Sequence, residues 1–304
     1  MKNGPNKEEK KIKRAIELSR AAKPAYEELY PMLDALFSLQ LRAKQSLNVR
    51  SVELPPALVK TEWEEGFPLL KRWDFPIDQD AAEAILTGIQ AHLTIGNAAI
   101  KAACAALMAA LAKLTQRDQR KEFWEGFLQH ELEPWEEWVD TNGVEAPALL
   151  FLARSALRPS VEWTAEDLLK RFPLPKSWFK GYCPICGSLP SLLFLDGEGE
   201  RQAYCSWCGT QWGLHRLQCP YCDNRNHESL GYLFTEAEPH YRIQYCKLCK
   251  MYFKLIDLKE RTDPAYFPLE EWTTLHLDLM AQRVGWVQPS SPSPAVYGTE
   301  QCCR

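Results

Sequence analysis

The chain lacks a long hydrophobic run, and its first thirty residues lack the pattern expected of a secretory signal. Its most apolar stretch, residues 98–112, is rich in alanine and is interrupted by Lys101. A helix that spans a bilayer needs about 20 consecutive apolar residues, so this stretch predicts a buried helix and no membrane insertion. The first thirty residues are charged and helix-periodic and contain no apolar segment of about 7 to 15 residues. We therefore expect a cytoplasmic protein.

An excess of positive charge is also missing. The net charge is −4 and the isoelectric point is near 6.0. These values do not supply the global electrostatic attraction by which basic proteins bind nucleic acids or anionic membranes. Proteins or small molecules are therefore the expected partners, and nucleic acid is not.

Residues 1–172 contain no convincing β-alternation. They show helical periodicity broken by proline and glycine, which predicts an all-α domain. Asp80 is the predicted N-cap of an alanine-rich pair of helices. One helix has a predicted core face formed by Leu29, Met32, Leu33, Leu36 and Phe37.

The composition changes after this helical region. Residues 173–182 contain two prolines and a glycine and predict a linker. Short β-like runs separated by turn residues then occupy residues 188–258. They include residues 192–195, 231–234, 241–245 and 252–256.

The last part of the chain predicts a helix followed by a tail. Residues 263–287 form the predicted C-terminal helix, which ends at Gly285. Residues 288–304 are poor in apolar side chains and predict a flexible tail. The whole pattern is that of an α+β multidomain chain. The core face of the predicted C-terminal helix consists of Leu269, Trp272, Leu275 and Leu279.

The chain has eleven cysteines, and eight of them form four C-x-x-C pairs. A cytosolic chain keeps its thiols reduced, so this pattern indicates metal binding rather than disulfides. Two residues between cysteines allow a tight turn, called a knuckle below, to direct both thiolates at one ion. The predicted metal ligands are Cys183, Cys186, Cys205, Cys208, Cys219, Cys222, Cys246 and Cys249.

Spacer lengths predict how the knuckles pair. The spacers contain 18, 10 and 23 residues in chain order, which pairs the first knuckle with the second and the third with the fourth. An internal repeat supports this pairing, because residues 204–214 match residues 245–255 in the pattern Tyr-Cys-x-x-Cys-x-x-x-aromatic-x-Leu. We therefore predict a first metal ribbon over residues 183–217 and a second over residues 218–262.

Four thiolates suit tetrahedral iron and tetrahedral zinc equally, so ligand type leaves the metal open. A site closed by four protein ligands is typical of structural metals, and we expect neither hydrolysis nor any other catalysis. The sequence predicts that Lys247, Lys250 and Lys254 crowd the last knuckle and partly offset its negative charge.

Other candidate ligands are less favoured. With eight cysteines available, His215 is expected to be a surface histidine rather than a ligand. Cys104 is expected to be a small buried side chain. Cys302 and Cys303 are expected to be incidental cysteines of a frayed tail, with transient metal binding or oxidation as the alternative.

The stretch from Tyr182 to Leu258 resembles the formate dehydrogenase accessory protein family, FdhE. The motifs that carry the resemblance are CPICGSLP from Cys183, CSWCGTQW from Cys205, the Cys219–Cys222 pair, and CKLCKMYFK from Cys246. The resemblance implies a helical N-terminal region joined to paired rubredoxin-like modules. It also implies a cytoplasmic factor that binds the catalytic subunit of a formate dehydrogenase and helps it mature. The Cys302–Cys303 pair departs from the family pattern.

Two other functions stay open from the sequence. A rubredoxin-like module binds an iron that cycles between two oxidation states, so an electron-transfer or redox protein is the main alternative. A nucleic-acid-binding zinc ribbon is the second, although neither the net charge nor a basic-aromatic cluster supports it.

Overall fold

The structure is a computed structural model that describes residues 7–93, 97–128, 133–259, 261, 263 and 265–289. The chain forms two compact units. The first contains Met1–Val52 and Arg72–Thr164, and the second contains Glu53–Lys71 and Ala165–Arg304. Among the described residues, no helix has the length and apolar character needed to cross a membrane. The predicted domain boundaries stay predictions.

The described residues before the first knuckle contain eight α-helices and no strand. The helices are α1 (Lys7–Ala22), α2 (Tyr30–Lys44), α3 (Pro56–Glu65), α4 (Gln79–Gln90), α5 (Ala98–Lys113), α6 (Arg117–Gly126), α7 (Glu133–Asn142) and α8 (Ala146–Arg171). Helix α3 belongs to the second unit, whereas α1, α2 and α4–α7 belong to the first.

The core of the first unit forms around α2, which packs against α1 and α4. The predicted core face of α2 is buried at Met32, Leu33, Leu36 and Phe37. The alanine-rich α5 is buried along one side only, at Ala103, Cys104, Leu107 and Leu111. A buried hydrogen bond also connects α2 to α8, because Gln40 Nε2 donates to the Ser155 carbonyl oxygen at 2.8 Å.

The predicted N-cap of α4 was wrong by two residues. The cap is Asp78, whose Oδ1 accepts hydrogen bonds from the amides of Asp80 and Ala81 at 3.0 and 3.1 Å. Its Oδ2 accepts a third from the Asn48 amide at 2.7 Å. A carboxylate before the first turn satisfies amides that have no partner within the helix, whereas Asp80 already lies in that turn.

The described residues of the second unit form one six-stranded sheet. Its strands are β1 (Leu192–Leu195), β2 (Arg201–Tyr204), β3 (Gln211–Gly213), β4 (Leu230–Phe234), β5 (Tyr241–Cys246) and β6 (Tyr252–Asp257). Four of them coincide within one residue with the β-like runs predicted from the sequence, which confirms the mixed helix and sheet class.

Each predicted ribbon contributes three antiparallel strands to this sheet. The strand order is β3-β2-β1-β6-β5-β4, so the same three-strand arrangement occurs twice, side by side. The ribbons meet where β1 pairs in parallel with β6, with Leu192 opposite Lys254 and Leu195 opposite Asp257. The duplicated sequence therefore folds as one continuous sheet rather than as two separate modules.

In the described residues after the sheet, two short helices lie where the sequence predicted one. They are α9 (Phe267–Trp272) and α10 (Leu275–Arg283). Thr273 and Thr274 separate them, and the two hydroxyls donate to the carbonyl oxygens of Leu269 and Glu270 at 3.0 and 2.6 Å. Gly285, with φ of 86°, ends the segment as predicted.

The break between α9 and α10 changes which side chains face the sheet. Phe267 packs with Leu192, Phe194, Tyr204 and Ile256. Leu277 and Ala281 pack with Ile243 and Tyr252. The predicted core residue Leu279 is 57% exposed.

Candidate metal centres

The four knuckles have the same backbone geometry. In each, the amide of the first cysteine donates to the carbonyl oxygen of the residue five positions later. The amide of the residue four positions later donates back to the carbonyl oxygen of that cysteine. All eight of these hydrogen bonds are between 2.8 and 3.0 Å long. The common geometry explains why two intervening residues recur in every pair.

The residue that closes each knuckle has a left-handed backbone. Gly187 and Gly209 have φ of 70° and 74°, and Asp223 and Lys250 have φ of 55° and 64°. This conformation costs an L-residue about 1–2 kcal/mol, and glycine avoids that cost. The first ribbon therefore has the glycine that a knuckle favours, whereas the second holds two side chains in the same conformation.

The first four-cysteine site is buried. It consists of Cys183, Cys186, Cys205 and Cys208, whose sulfur atoms all lie within 4.8 Å of one another. The Sγ–Sγ distances of the 183–208 and 186–205 pairs are both 3.5 Å. A tetrahedral ion with metal–sulfur bonds of about 2.3 Å separates its ligands by about 3.8 Å. The spacing of the thiols therefore suits such an ion.

Two hydroxyl groups lie against the sulfur atoms of the first site. Ser188 Oγ is 3.0 Å from Cys186 Sγ, and Thr210 Oγ1 is 3.1 Å from Cys208 Sγ. Both residues are buried. A hydroxyl that donates to a sulfur atom stabilises the thiolate form, which is the form that binds a metal.

The second four-cysteine site is more open. Its sulfur atoms also lie within 4.8 Å of one another, but Cys222 and Cys249 are partly exposed. The Sγ–Sγ distances are 3.6 Å for Cys219–Cys249 and 3.8 Å for Cys222–Cys246. Asn224 Nδ2 donates to Cys246 Sγ at 3.5 Å. The second site thus has the same donor set with an edge that reaches solvent.

Thiol acidity shows why a cation suits these sites. Burial raises the pKa of Cys183 and Cys208 well above its ordinary value. In the second site, hydrogen bonds from Cys219 and Cys249 lower the pKa of Cys222 to about 2, while the pKa of Cys219 is raised by its hydrogen bond with Cys222. Without a cation, the thiolate of one cysteine raises the pKa of the neighbouring thiols, so these thiols stay protonated. Four thiolates in one place therefore require a positive ion.

The structure groups the eight predicted ligands as the spacer lengths predict. His215 is in neither group. Its ring stacks on Phe179 with 4.4 Å between ring centroids, and its amide donates to Gln218 Oε1 at 3.1 Å. Cys104 is buried in α5, where its sulfur lies 3.6 Å from the Leu86 carbonyl oxygen. Cys302 and Cys303 lie outside the described residues.

The prediction for Lys254 was wrong. Its ammonium group is buried and lies 2.8 Å from Asp278 Oδ2, and it also donates to the Glu271 carbonyl oxygen at 3.1 Å. In the alternating pattern of a strand, Lys254 faces α10 because it shares a side of β6 with Tyr252. Its charge is therefore neutralised by Asp278 rather than by the last knuckle.

Sequence reasoning missed a segment that packs against the first knuckle. The amides of Leu69 and Leu70 donate to the carbonyl oxygens of Pro184 and Ile185 at 3.1 and 2.8 Å. Trp63 Nε1 donates to the same Pro184 oxygen at 3.1 Å. Residues 53–71 contain no cysteine and no repeat of the ribbon pattern, so no signal in the sequence linked them to the site.

The chain is similar in sequence to proteins named FdhE homolog. No family model matches it. It is 40% identical over 152 residues to a protein named FdhE homolog from Aquifex aeolicus, covering 48% of this chain and 52% of that protein. It is 32% identical over 123 residues to the FdhE homolog of Haemophilus ducreyi, covering 39% of each. The match thus spans about half or less of these relatives.

A solved structure resembles nearly the whole chain. The crystal structure of the FdhE protein from Pseudomonas aeruginosa matches with a TM-score of 0.67, covering 96% of this chain and 97% of that one. The sequence identity is 20%, so this likeness shows a shared fold.

Proposed function

We propose that the chain is a member of the FdhE family and acts as an accessory factor that binds the catalytic subunit of a formate dehydrogenase and supports its assembly or activation. The 40% identity to the FdhE homolog of Aquifex aeolicus is the observation that supports this role. We assign no catalytic reaction to the chain, since four protein ligands would close a tetrahedron at each cysteine group and leave no position for a substrate.

We also propose that each four-cysteine site binds one metal ion, iron or zinc. Sulfur–sulfur distances of 3.5 to 3.8 Å support it, as does a donor set of thiols alone, which suits iron and zinc and excludes magnesium and calcium. Each ion would stabilise its ribbon and thereby the sheet that the two ribbons share. We further propose that the protein is cytoplasmic, because the reducing conditions of the cytoplasm keep such thiols available for a metal.

Partner binding is tested by affinity capture. The tagged full-length chain should retain a formate dehydrogenase catalytic subunit, and a strain without the chain should lose most formate dehydrogenase activity. A Cys104→Ala variant, which leaves both four-cysteine sites unchanged, should behave as the wild type. Wild-type formate dehydrogenase activity in the deletion strain would contradict the proposed role.

An electron-transfer function is the second candidate, because Cys222 and Cys249 bring the second site partly to the surface. Exposed ligands shorten the path between an iron ion and a redox partner. Reversible one-electron reduction of anaerobically purified protein would support this function. Purification with zinc in both sites would exclude it, since zinc has no redox chemistry.

A further inference from the structure

Arg201 is a buried cation that has no acidic partner among the residues that the structure describes. It lies on β2 in the first ribbon and is 4% exposed. Its Nη1 donates to the His215 carbonyl oxygen at 2.8 Å and its Nη2 donates to Gln244 Oε1 at 2.6 Å. Nε has no hydrogen-bond partner among the described residues, and within the same part of the chain no carboxylate forms an ion pair with the guanidinium. Both acceptors are neutral, so the charge itself is not balanced by them.

One acceptor of Arg201, Gln244, connects it by a further hydrogen bond to the backbone beside the second four-cysteine site. Gln244 Nε2 donates to the Gln218 carbonyl oxygen at 3.3 Å, and Gln218 directly precedes Cys219. Gln244 also lies two residues before Cys246 on β5. Alternate residues of a strand share a face and are about 7 Å apart, so Gln244 and Cys246 project from the same side of the sheet. A guanidinium of the first ribbon thus faces the backbone that carries two cysteines of the second.

The charges of Arg201 and of a metal-loaded second site are opposite in sign, so their interaction is attractive. Burial lowers the pKa of Arg201 to about 10, while interactions with Tyr232 and Cys219 act in the opposite direction. A zinc ion with four thiolates carries a net charge of about −2, and its ferric counterpart about −1, by charge counting. Lys247 and Lys250 are also near this site in sequence, but they lie outside the core, where water and salt screen their charges. Arg201 is desolvated, so its interaction with an anionic centre is screened less.

We propose that Arg201 supplies the buried positive charge that favours a loaded second site, and that loading of this site in turn stabilises β2 of the first ribbon. The two effects are reciprocal, because a favourable interaction between two groups strengthens both equally. The metal of one ribbon is thereby coupled to the folding of the other. The inference rests on the proposed metal binding by the second site, and it is independent of the proposed partner.

The test is a zinc competition titration of the full-length chain against a chromogenic chelator. A Cys222→Ser variant identifies which binding step belongs to the second site. The Arg201→Met variant removes the charge and retains most of the volume. Its zinc affinity at the second site should fall about 10- to 100-fold, as expected for the loss of a group that supports metal ligands, while its affinity at the first site should fall much less. Arg201→Lys, which keeps the charge, should lose less.

Arg216→Met is the matched control. It removes an equal charge from an exposed position in the first ribbon and should leave both affinities unchanged. Arg201→Gln, which can retain hydrogen bonds, repeats the test if the methionine variant does not fold. An unchanged second-site affinity, or an equal fall at both sites, would overturn the role of Arg201. If the wild-type second site bound no zinc or iron, the proposed metal binding would fail and this inference would fail with it.

Discussion

Gly181 lies so close to Pro220 that a Cβ atom on Gly181 would overlap the Pro220 carbonyl oxygen. Gly181 comes just before the first knuckle and Pro220 lies within the third. The backbone that leads into one metal site is therefore in contact with the backbone of the other. No side chain fits between them, and the only residue that allows this approach is glycine.

A Gly181→Ala substitution should therefore destabilise the second unit by about 1–3 kcal/mol, which is the usual cost of inserting a methyl group into a packed region. Chemical unfolding of the metal-loaded chain, followed by tryptophan fluorescence, measures the loss. Gly197→Ala is the control, because a Cβ atom at Gly197 meets nothing within 4 Å. Equal stability of the two variants would show that the contact with Pro220 is not tight in solution.

The pairing of the knuckles has a direct test in metal content. Cys183→Ser should remove one metal ion from the first site, and Cys246→Ser should remove one from the second. Each variant should retain the other ion, because the ligands of one site come from one ribbon only. Since metal binding is coupled to folding, the affected ribbon should also become sensitive to proteases.

Metal analysis combined with limited proteolysis distinguishes these outcomes. The helices of the first unit should survive in both variants. Cys104→Ala, which changes a buried cysteine outside both groups, should keep both ions. Full metal content and full protease resistance in either serine variant would contradict the pairing or the structural role of the metal.

A buried ion pair stabilises the attachment of α10 to the sheet. Lys254 Nζ lies 2.8 Å from Asp278 Oδ2, and the Tyr252 hydroxyl donates to Asp278 Oδ1 at 2.9 Å. Asp278→Ala leaves the lysine charge buried without a partner, so it should cost about 3–5 kcal/mol. Replacing both residues, as Lys254→Met with Asp278→Ala, removes the unpaired charge and should recover part of this loss.

Urea unfolding of Lys254→Met, Asp278→Ala and the double variant gives the coupling energy between the two residues. Lys247→Met, at an exposed position of the last knuckle, is the control and should change stability by less than about 0.5 kcal/mol. A loss in the double variant equal to the sum of the two single losses would show that the pair does not interact.

The sequence predicts the parts of this protein that depend on local spacing. A knuckle closes through hydrogen bonds between residues at most five positions apart, so its ligands are readable from the sequence alone. The same holds for β1, in which Leu192–Leu195 is flanked by turn residues. The alternation of helix and sheet regions follows from similar local patterns.

Contacts between distant residues were not predictable in this way. The parallel pairing of β1 with β6 joins residues such as Leu192 and Lys254, and no local pattern distinguishes it from two separate ribbons. The burial of Lys254 depends on Asp278, which lies in a helix that starts after an unexpected break at Thr273. The docking of Trp63 on the first knuckle also depends on tertiary packing alone.

Residues 53–71, which pack against the first knuckle, provide a further test. The buried Tyr182 hydroxyl donates to the Gly66 carbonyl oxygen at 2.6 Å and so connects the residue before Cys183 to the end of α3. Tyr182→Phe should cost about 1 kcal/mol, the usual net value of a hydrogen bond. It should also increase the rate at which a chelator removes metal from the first site, because the knuckle loses a restraint. Tyr232→Phe, at a position 41% exposed, is the control, and equal rates in the two variants would exclude this role for α3.

The first unit should have a distinct response to acid that originates at Glu162. Burial acts to raise the pKa of this carboxyl, but the charges of Arg158 and Lys44 outweigh it and the pKa is lowered from 4.5. Arg158 Nε is 2.6 Å from Glu162 Oε1, and Lys44 Nζ is 3.3 Å from Oε2. Since the pKa is lower in the folded chain, the ion pairs stabilise the folded state fully only above the pKa of the unfolded chain. This contribution is lost as the pH falls through the folded value.

Glu162→Gln removes the charge and should reduce stability near neutral pH by about 2 kcal/mol, as for hydrogen bonds to charged groups. The difference between wild type and variant should stay constant above a pH of about 5 and shrink below a pH of about 4. Thermal unfolding followed by far-ultraviolet circular dichroism, which reports mainly on the helices, measures it. Glu125→Gln, in a more exposed pair with Lys121, should show a much smaller difference at every pH. If the Glu162→Gln difference were the same at pH 3 and pH 7, the ion pairs would not be its origin.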